Sequence, residues 1–192
     1  MSEALQWRGM PYPAKTSAGQ ILAAAVDLLE REGQAGLSLR ALAAELHLTP
    51  NALYRYYESR EALLAAVAVY GARTLLELQQ SVVGEEEGLA ALAREYLRFA
   101  SERPALYELY MTCDSLNAEQ RQVYAQLWNL VVDRLLPLAG PRSPEAAMTL
   151  WAYLHGLVGL ERSGVYDNGE GKPRHTSEFG LRVLLSGLQT LR

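Results

Sequence analysis

The chain has 192 residues, 49% of them hydrophobic, and a formal net charge of −4 from 18 basic and 22 acidic side chains. That length and apolar content suffice for one large or two modest domains with a buried core. The single cysteine, Cys113, excludes an intrachain disulfide. The absence of a signal-peptide core and of a membrane-length apolar run predicts a cytoplasmic protein.

The first predicted helix covers about residues 16–32. Ser17 and Gln20 have the spacing of a capping box, in which two side chains satisfy backbone N–H groups at the helix start. Apolar residues recur on one face and predict the buried stripe of this helix: Ile21, Ala25, Leu28 and Leu29. Gly33 and Gly36 bracket its end.

Two short helices joined by a tight turn are predicted next. Ser38 caps the first, and its apolar residues recur at i, i+3, i+4 and i+7: Leu39, Leu42, Ala43 and Leu46. Thr49 supplies a side-chain oxygen to cap the second, and Pro50 stands at the first helical position, where no N–H is needed. This second helix buries Leu53 and Tyr57, and it exposes Thr49, Asn51, Tyr54, Arg55 and Tyr56. Such a composition is typical of a helix-turn-helix whose second helix enters the DNA major groove.

The fourth predicted helix covers about residues 59–83 and is capped by Ser59. The acidic segment GEEEG at 84–88 ends it, and we interpret this segment as a solvated turn rather than a cation site. The fifth helix carries apolar residues at helical spacing: Leu89, Leu92, Ala93, Tyr96, Leu97 and Ala100. A turn at Arg103 and Pro104 leads into a short sixth helix rich in aromatic residues.

Proline- and glycine-rich breaks separate the last three predicted helices. The seventh covers about 115–136, and the segment PLAGPRSP terminates it. The eighth covers about 143–163 and the ninth about 176–191, with a loop over 164–175 between them. The pattern therefore predicts an all-α chain of about nine helices with no strand.

Residues 36–66, GLSLRALAAELHLTPNALYRYYESREALLAA, resemble the DNA-binding domain of the TetR family of bacterial transcriptional regulators. The recognition helix of that family reads like TPNALYRYY, followed by a link like SREALL, and this chain has both in register. The resemblance is close over 16–66 and looser beyond. It implies an N-terminal arm at 1–15, a three-helix helix-turn-helix DNA-binding domain at 16–62, and a C-terminal ligand-binding and dimerisation domain at 63–192.

The chain departs from this family at the turn between its second and third helices. The family usually has glycine there because the backbone tends to positive φ, and this chain has His47. Histidine tolerates left-handed geometry better than most residues, so we predict that the turn is kept with some strain. A metal or proton site at His47 is the weaker interpretation.

The resemblance implies DNA contacts residue by residue. Phosphate contacts are implied for the tyrosine after the central leucine of the recognition helix, for the basic residue opening the next helix and for both helix caps: Tyr54, Arg60, Ser38 and Thr49. Base contacts are implied for Pro50, Asn51 and Tyr56. Arg40 can reach a guanine bidentately, which is the commonest specific base contact. Arg55 either lies on a phosphate or is solvated, and Lys15 either approaches DNA with its arm or belongs to a disordered tail.

The negative net charge does not exclude DNA binding, because the deficit lies in the second part of the chain. Residues 1–60 carry six basic and six acidic side chains, and the basic ones are Arg8, Lys15, Arg31, Arg40, Arg55 and Arg60. Binding depends on the local field, and four of these six lie on or beside the implied DNA face. We therefore expect weak non-specific binding and a shallow salt dependence.

One recognition helix covers only a few base pairs, so the resemblance implies a homodimer on a pseudo-palindromic operator, with recognition helices roughly 34–36 Å apart. The family pairs its last two long helices with those of a second subunit. Gly156, Gly159 and Gly187 would let such helices approach closely. Trp151, His155 and Gly156 also resemble the Trp-His-Gly signature of one C-terminal subclass of the family.

In this family the C-terminal helices surround a ligand cavity. Nine residues are candidates to line it here: Tyr96, Phe99, Tyr107, Tyr110, Met111, Tyr124, Trp128, Trp151 and His155. An aromatic pocket would suit a small hydrophobic or aromatic effector, whose binding would shift the long fourth helix and change the separation of the recognition helices. The alternative is that these side chains fill a solid core.

We therefore predict a ligand-responsive transcriptional repressor with no enzymatic activity, no cofactor and no metal site. Acidic residues are scattered on solvated helix faces without a nucleophile–base pair, and no histidine has neighbours at metal-ligand spacing. Cys113 has no flanking cation to lower the pKa of its thiol. A rival hypothesis is a protein- or ligand-binding helical dimer that has lost DNA binding, which the neutral charge of residues 1–60 leaves open.

Overall fold

The computed structural model describes residues 17–82, 88–112, 118–164 and 176–190. Those ranges hold nine α-helices and no strand, which confirms the all-α prediction. The helices are α1 Ala18–Gly36, α2 Leu39–Glu45, α3 Pro50–Tyr54, α4 Arg60–Ser81, α5 Gly88–Glu102, α6 Pro104–Thr112, α7 Ala118–Ala139, α8 Ser143–Ser163 and α9 Thr176–Thr190. Within the described ranges, no helix is long and apolar enough to cross a membrane.

The chain divides into two compact units, Met1–Arg60 and Glu61–Arg192. Helix α4 begins at the last residue of the first unit and continues in the second. The first unit therefore contains α1, α2 and α3, and the second contains α5 to α9 and nearly all of α4.

The capping box and the apolar stripe predicted for α1 are both present in the structure. The Gln20 amide donates to Ser17 Oγ at 3.2 Å, and the Ser17 amide donates to Gln20 Oε1 at 2.8 Å, so the capping box is confirmed. The predicted apolar stripe is buried, with Ile21, Ala25 and Leu29 at 0% exposure and Leu28 at 4%. At Gly33 the backbone leaves helical geometry with φ of +69°, so the regular part of α1 ends there.

Helix α7 differs from its prediction at its C-terminal end. The segment PLAGPRSP terminates it as predicted, but the helix includes Pro137 and ends at Ala139 rather than at about residue 136. A proline in a last turn removes only one intrahelical N–H donor, which a helix end tolerates better than its middle. The stop comes instead at Gly140, whose φ of +54° only glycine adopts without strain, and a 3₁₀ turn over Gly140–Arg142 then leads into α8.

Leucines of α4, α5, α6 and α7 are buried in the core of the second unit. Leu63, Leu75, Leu92, Leu106 and Leu135 are each at most 2% exposed. Burial of a leucine side chain stabilises a fold by roughly 1.5–3 kcal/mol, so this set accounts for much of the cohesion of the unit.

Helix α9 docks on α8 at a glycine. A Cβ on Gly180 would collide with the ring and hydroxyl of Tyr153, so only glycine allows this approach. The Tyr153 hydroxyl donates to the carbonyl of Ser177 at 3.2 Å, which fixes the first turn of α9 on α8.

Candidate nucleic-acid interface

The start of α2 is fixed by a side-chain cap. The Ala41 amide donates to Ser38 Oγ at 3.1 Å, which confirms Ser38 as the N-cap. A capping serine accepts through its oxygen and keeps its own O–H as a donor. The hydroxyl of Ser38 therefore has a proton to offer to a phosphate oxygen.

The turn after α2 has the geometry that the sequence predicts. His47 has φ of +53°, so the left-handed conformation at this position is confirmed. The Leu48 amide donates to the Ala43 carbonyl at 2.8 Å and the His47 amide to the Ala44 carbonyl at 3.2 Å. These two bonds form a Schellman motif, which satisfies carbonyls at the end of α2 and sets the direction of the chain into α3.

Helix α3 begins where the sequence predicts, with Thr49 at the N-cap position, but the predicted side-chain capping hydrogen bond is not formed. Thr49 is the N-cap residue and Pro50 follows it, yet the Thr49 side chain makes no capping hydrogen bond. The prediction that its hydroxyl caps the helix is therefore wrong. Proline at the first helical position has no N–H to satisfy, and the Thr49 carbonyl accepts from Ala52 at 2.9 Å.

A single buried leucine anchors α3 in the first unit. Leu53 is fully buried, and its carbonyl accepts from the amides of Tyr56 at 2.8 Å and Tyr57 at 3.0 Å. Tyr57 is half-buried, and this burial raises the pKa of its hydroxyl. The regular helix thus ends at Tyr54, and Arg55 and Tyr56 stand on the turn that follows rather than on the helix itself.

The side chains assigned to DNA contact are mostly on the surface. Tyr54 is 54% exposed and Tyr56 46%. The other exposed members of the set are Arg40, Thr49, Pro50, Asn51 and Arg55. Lys15 lies outside the described residues. The structure thus places two tyrosines, two arginines and small polar groups at the surface of α2, α3 and their turns.

Arg60 has a structural role that the sequence did not predict. Its Nε donates to the Leu37 carbonyl at 2.8 Å, and its Nη2 donates to the Gln34 carbonyl. These carbonyls lie in the segment between the regular part of α1 and the start of α2. Arg60 therefore ties the first residue of α4 to that segment, and its remaining N–H donors are those left for a phosphate. No local pattern could have shown this, because the partners are 23 and 26 positions away.

Arg31 is also engaged within the first unit. Its Nη2 lies 2.6 Å from Glu45 Oε2, and its Nε lies 3.5 Å from Glu32 Oε1. The hydrogen bond and charge of Glu45 raise the pKa of Arg31. Over residues 17–60, Arg40 and Arg55 are in no ion pair with another described residue. The number of exposed arginines that are in no ion pair within residues 17–60 is therefore smaller than the number of basic residues counted in the sequence.

The nine residues predicted to line a ligand cavity in the second unit fall into several groups. Tyr96, Phe99 and Tyr107 are at most 4% exposed and pack edge to face, so these three fill core. The Tyr110 and Tyr124 rings form an edge-to-face pair with centroids 5.1 Å apart. Trp128 packs on the cluster around Leu135, Met111 is half-buried, and Trp151 and His155 are exposed on α8.

A chain of hydrogen bonds runs from the core to α8. The hydroxyls of Tyr96 and Tyr107 are 2.8 Å apart, and the Tyr107 hydroxyl is 2.6 Å from His155 Nδ1. Burial, followed by the hydrogen bond with Tyr107, raises the pKa of Tyr96, and burial raises that of Tyr107. Both hydroxyls therefore stay neutral at physiological pH, and the chain serves as a satisfied polar link within the core.

The second unit also contains a cleft of about 680 Å³. None of the nine candidate residues lines it. Their assignment to an effector stays a prediction, and the cleft is lined instead by α5, α7, α8 and α9.

Two family models match the chain. One, described as bacterial regulatory proteins of the tetR family, matches residues 21–67. The other, described as the tetracyclin repressor-like C-terminal domain, matches residues 89–184. The first covers α2, α3 and their turns, and the second covers most of α5 to α9.

Two curated relatives are described as HTH-type transcriptional regulators. The HTH-type transcriptional regulator YobS of Bacillus subtilis is 29% identical over 175 residues, which are 88% of this chain and 90% of the relative. The HTH-type transcriptional regulator in the dhlA 5′ region of Xanthobacter autotrophicus is 30% identical over 144 residues, which are 68% of this chain and 70% of the relative.

Solved structures share the fold. A protein of unknown function from Rhodococcus sp. RHA1 superposes with a TM-score of 0.81 at 25% identity, over 94% of this chain and all of the other. A variant of TetR from Acinetobacter baumannii, in complex with minocycline, superposes with a TM-score of 0.69 at 23% identity, over 93% of this chain and 99% of the other. The chain therefore belongs to the TetR family and is a DNA-binding transcriptional regulator whose N-terminal helix-turn-helix is joined to a C-terminal helical domain.

Proposed function

We propose that this regulator is a repressor that binds a pseudo-palindromic operator as a homodimer and leaves it when a small molecule binds the C-terminal domain. The first unit supplies the DNA contacts, the second supplies dimerisation and ligand binding, and the protein works in the cytoplasm. The observation that carries the proposal is a pair of exposed apolar stripes on α8 and α9.

The exposed apolar stripe on α8 consists of two residues three positions apart. Met148 is 49% exposed and Trp151 39%, and both fall on one side of the helix, whereas Leu160, 41% exposed, lies on the side opposite Trp151. Gly159 lies on the same side as Met148, and a Cβ at Gly156 or Gly159 would meet no neighbour within 4 Å. Large exposed apolar side chains beside glycines with open space around them are typical of a helix face that packs closely against another chain.

Helix α9 has the same character. Phe179 is 64% exposed and Val183 55%, one turn apart, and Gly187 follows with open space around it. Two helices with apolar outer faces support a two-fold symmetric interface in which each copy covers the other. Dimerisation through α8 and α9 then sets the separation of the two recognition helices, as half-site spacing requires.

The proposed contacts to DNA fall into two classes. Ser38, Thr49, Tyr54 and Arg60 donate to phosphates, and Arg55 is assigned to the same class. Pro50, Asn51, Tyr56 and Arg40 meet base edges, with Arg40 as the bidentate partner of a guanine. The hydroxyl proton that Ser38 keeps and the Thr49 hydroxyl, which makes no capping hydrogen bond, support the assignment of these two residues to phosphates.

Response to a small molecule is supported by the fold neighbour that holds minocycline and by the cleft in the second unit. To release most of the protein, an effector must favour the DNA-incompetent state by several kcal/mol. We propose that it does so by displacing α4, whose first residue is Arg60.

The proposal is tested by fluorescence anisotropy with the purified protein and the DNA flanking its own gene, against scrambled DNA at physiological salt. We expect specific binding near nanomolar concentration, a requirement for both half-sites, and about a tenfold or greater loss with Arg40→Ala or Tyr54→Phe. Arg60 is unsuitable as the main test because its substitution also removes two internal hydrogen bonds.

Arg73→Ala is the matched control, since Arg73 is an exposed arginine of the second unit that pairs with Glu119. It should bind DNA as the unmodified protein does. Equal weak binding to every DNA, including all segments around the gene, would contradict the repressor proposal and favour a helical dimer that no longer uses DNA.

A further inference from the structure

A network of four hydrogen-bonded side chains begins and ends on α8. The Tyr107 hydroxyl of α6 lies 2.8 Å from the Tyr96 hydroxyl of α5 and 2.6 Å from His155 Nδ1 of α8. The Trp151 side chain, one turn before His155 on α8, is a further hydrogen-bond partner of Tyr96. The His155 ring also packs on its neighbours, with its centroid 6.0 Å from that of Trp151 and 6.1 Å from that of Tyr107. Two buried hydroxyls thus hold two surface side chains of α8.

The chemistry of the four groups fixes the direction of these hydrogen bonds. The indole N–H of Trp151 can only donate, so the Tyr96 oxygen accepts from it. The Tyr96 hydroxyl is buried and its own proton needs an acceptor, which is the Tyr107 oxygen. The Tyr107 hydroxyl then donates to His155 Nδ1. A neutral imidazole whose Nδ1 accepts carries its proton on Nε2, so His155 keeps an Nε2–H donor for another partner.

The surface members of the network belong to an ordered patch on α8. Met148, Trp151 and His155 are exposed and lie within roughly 60° of one another around the helix, and we call these three residues the α8 patch. A surface side chain normally loses rotamer freedom on association, which weakens binding. Trp151 and His155 are already held by the network, so a partner that packs on the α8 patch orders little that is not ordered before binding.

The charges beside the α8 patch favour a second copy of this chain as the partner. Arg162, two turns after His155 on the same side of α8, forms an ion pair with Glu108 of α6. The two side chains are 42% and 54% exposed. Two-fold symmetry places the same surface opposite itself, so an edge that carries one cation and one anion matches its own copy. A strongly acidic or basic partner would meet like charge at this edge.

We propose that the α8 patch determines the affinity between two copies of this chain, and that Tyr96 and Tyr107 position the patch from the core. The inference rests on the proposed homodimer and names the residues that set its strength. Tryptophan is among the residue types that most often dominate the affinity of an interface. Tyr96 and Tyr107 are at most 4% exposed, so they influence the second copy through Trp151 and His155.

The test is sedimentation equilibrium of the full chain without DNA at pH 7.5. Trp151→Ala should raise the dimer dissociation constant about thirtyfold or more, because a two-fold interface loses the ring twice. Tyr70→Ala is the matched control, since Tyr70 of α4 is an aromatic residue with the same 39% exposure as Trp151. Its dissociation constant should stay within about threefold of that of the unmodified protein.

Substitutions in the core test the positioning role. Tyr96→Phe and Tyr107→Phe should each raise the dimer dissociation constant about fivefold or more, although neither changes the surface. Tyr124→Phe is the matched control, because it removes a hydroxyl that donates to the Tyr110 carbonyl at 2.9 Å, outside the network. It should leave the dissociation constant within about twofold, and circular dichroism should show the same helix content in all variants.

The nitrogen chemical shifts of the His155 ring supply a readout that a loss of stability does not change. In the unmodified protein they should show the proton on Nε2 and none on Nδ1. In Tyr107→Phe the two tautomers should both be populated, because Nδ1 has lost its donor. A proton on Nδ1 in the unmodified protein would contradict the direction of the network.

Other outcomes separate this inference from the proposed function. Equal dimer dissociation constants for Trp151→Ala and Tyr70→Ala would overturn the role of the α8 patch. Equal increases for Tyr107→Phe and Tyr124→Phe would overturn the positioning role. In both cases the homodimer would stand. An unmodified protein that stays monomeric at every concentration would instead contradict the homodimer itself.

Discussion

The first unit exposes polar, basic and tyrosine side chains on short segments, whereas the second exposes large apolar side chains on long helices. In the first, helices of seven and five residues are held by caps, a left-handed turn and an arginine bound to two carbonyls. In the second, helices of up to 22 residues are held by a leucine-rich core and a buried tyrosine pair.

The difference shows how two kinds of recognition require two kinds of scaffold. Reading DNA needs a few side chains held in fixed directions, and local hydrogen bonds supply that rigidity on short elements. The proposed pairing with a second copy needs a continuous apolar area, which long helices with an uncovered face can provide. Each of the following substitutions changes one of the structural features that hold or expose these surfaces.

The largest expected effect is on the affinity of the proposed dimer, from a substitution on the exposed apolar face of α9. Phe179→Asp should raise the dimer dissociation constant about a hundredfold or more, because a two-fold interface would bury two unpaired carboxylates. Analytical ultracentrifugation measures it. The monomer should remain folded, since Phe179 is 64% exposed. Leu136→Asp, at a residue 56% exposed on α7, is the control and should leave the dimer intact; equal effects would place the interface elsewhere.

The next effect concerns the hydrogen bonds of Arg60 within the first unit. Arg60→Ala should lower the free energy of unfolding by about 2 kcal/mol in urea titrations, because two carbonyls lose a charged donor. Arg60→Lys should restore less than half of this, since an ammonium group lacks the planar fork. Arg55→Ala, at an exposed arginine, should change stability by less than about 0.5 kcal/mol. An unchanged stability of Arg60→Ala would show that Arg60 acts on DNA alone.

The core of the second unit should respond less strongly to loss of one hydroxyl. Tyr107→Phe breaks the links to Tyr96 and His155 and leaves the buried Tyr96 hydroxyl with Trp151 as its remaining side-chain partner. We expect a loss of about 1–2 kcal/mol in thermal or urea unfolding. Tyr70→Phe, at a tyrosine 39% exposed, should change stability by only a few tenths of a kcal/mol. Equal losses would mean that the buried chain contributes nothing of its own.

The smallest expected effects are changes in the stability of the first unit, which have opposite signs for substitutions at two neighbouring residues. His47→Gly should stabilise the first unit by about 0.5–1 kcal/mol, because φ of +53° strains a residue with a Cβ. Ala44→Gly, in the exposed part of α2, should destabilise it by about as much. Urea midpoints of the two variants measure both. A loss of stability in His47→Gly would mean that the imidazole makes a compensating contact.

Much of the first unit could be predicted from consecutive residues. The capping box of Ser17 and Gln20, the cap at Ser38 and the left-handed turn at His47 each depend on residues within five positions of one another. The cap of Thr49 was the local prediction that failed. A proline next to it removes one of the amides that would need an acceptor, so the hydroxyl is not required there.

The aromatic residues of the second unit show where such prediction ends. The family resemblance made them candidates for a ligand cavity, but neither the resemblance nor helical spacing distinguishes a ligand wall from a core. The structure buries Tyr96, Phe99 and Tyr107 against one another. The cleft lies elsewhere, between α5, α7, α8 and α9, and no pattern within one helix indicates it.

The sequence by itself determined the all-α class, the helix-turn-helix and its surface residues, because helix periodicity, caps and turns arise from contacts between near neighbours. Only the tertiary structure decided that Arg60 holds carbonyls of an earlier segment, that a tyrosine pair fills the core and that four helices form a cleft. Those arrangements join residues far apart in the chain, and their geometry depends on how whole helices pack rather than on any local preference.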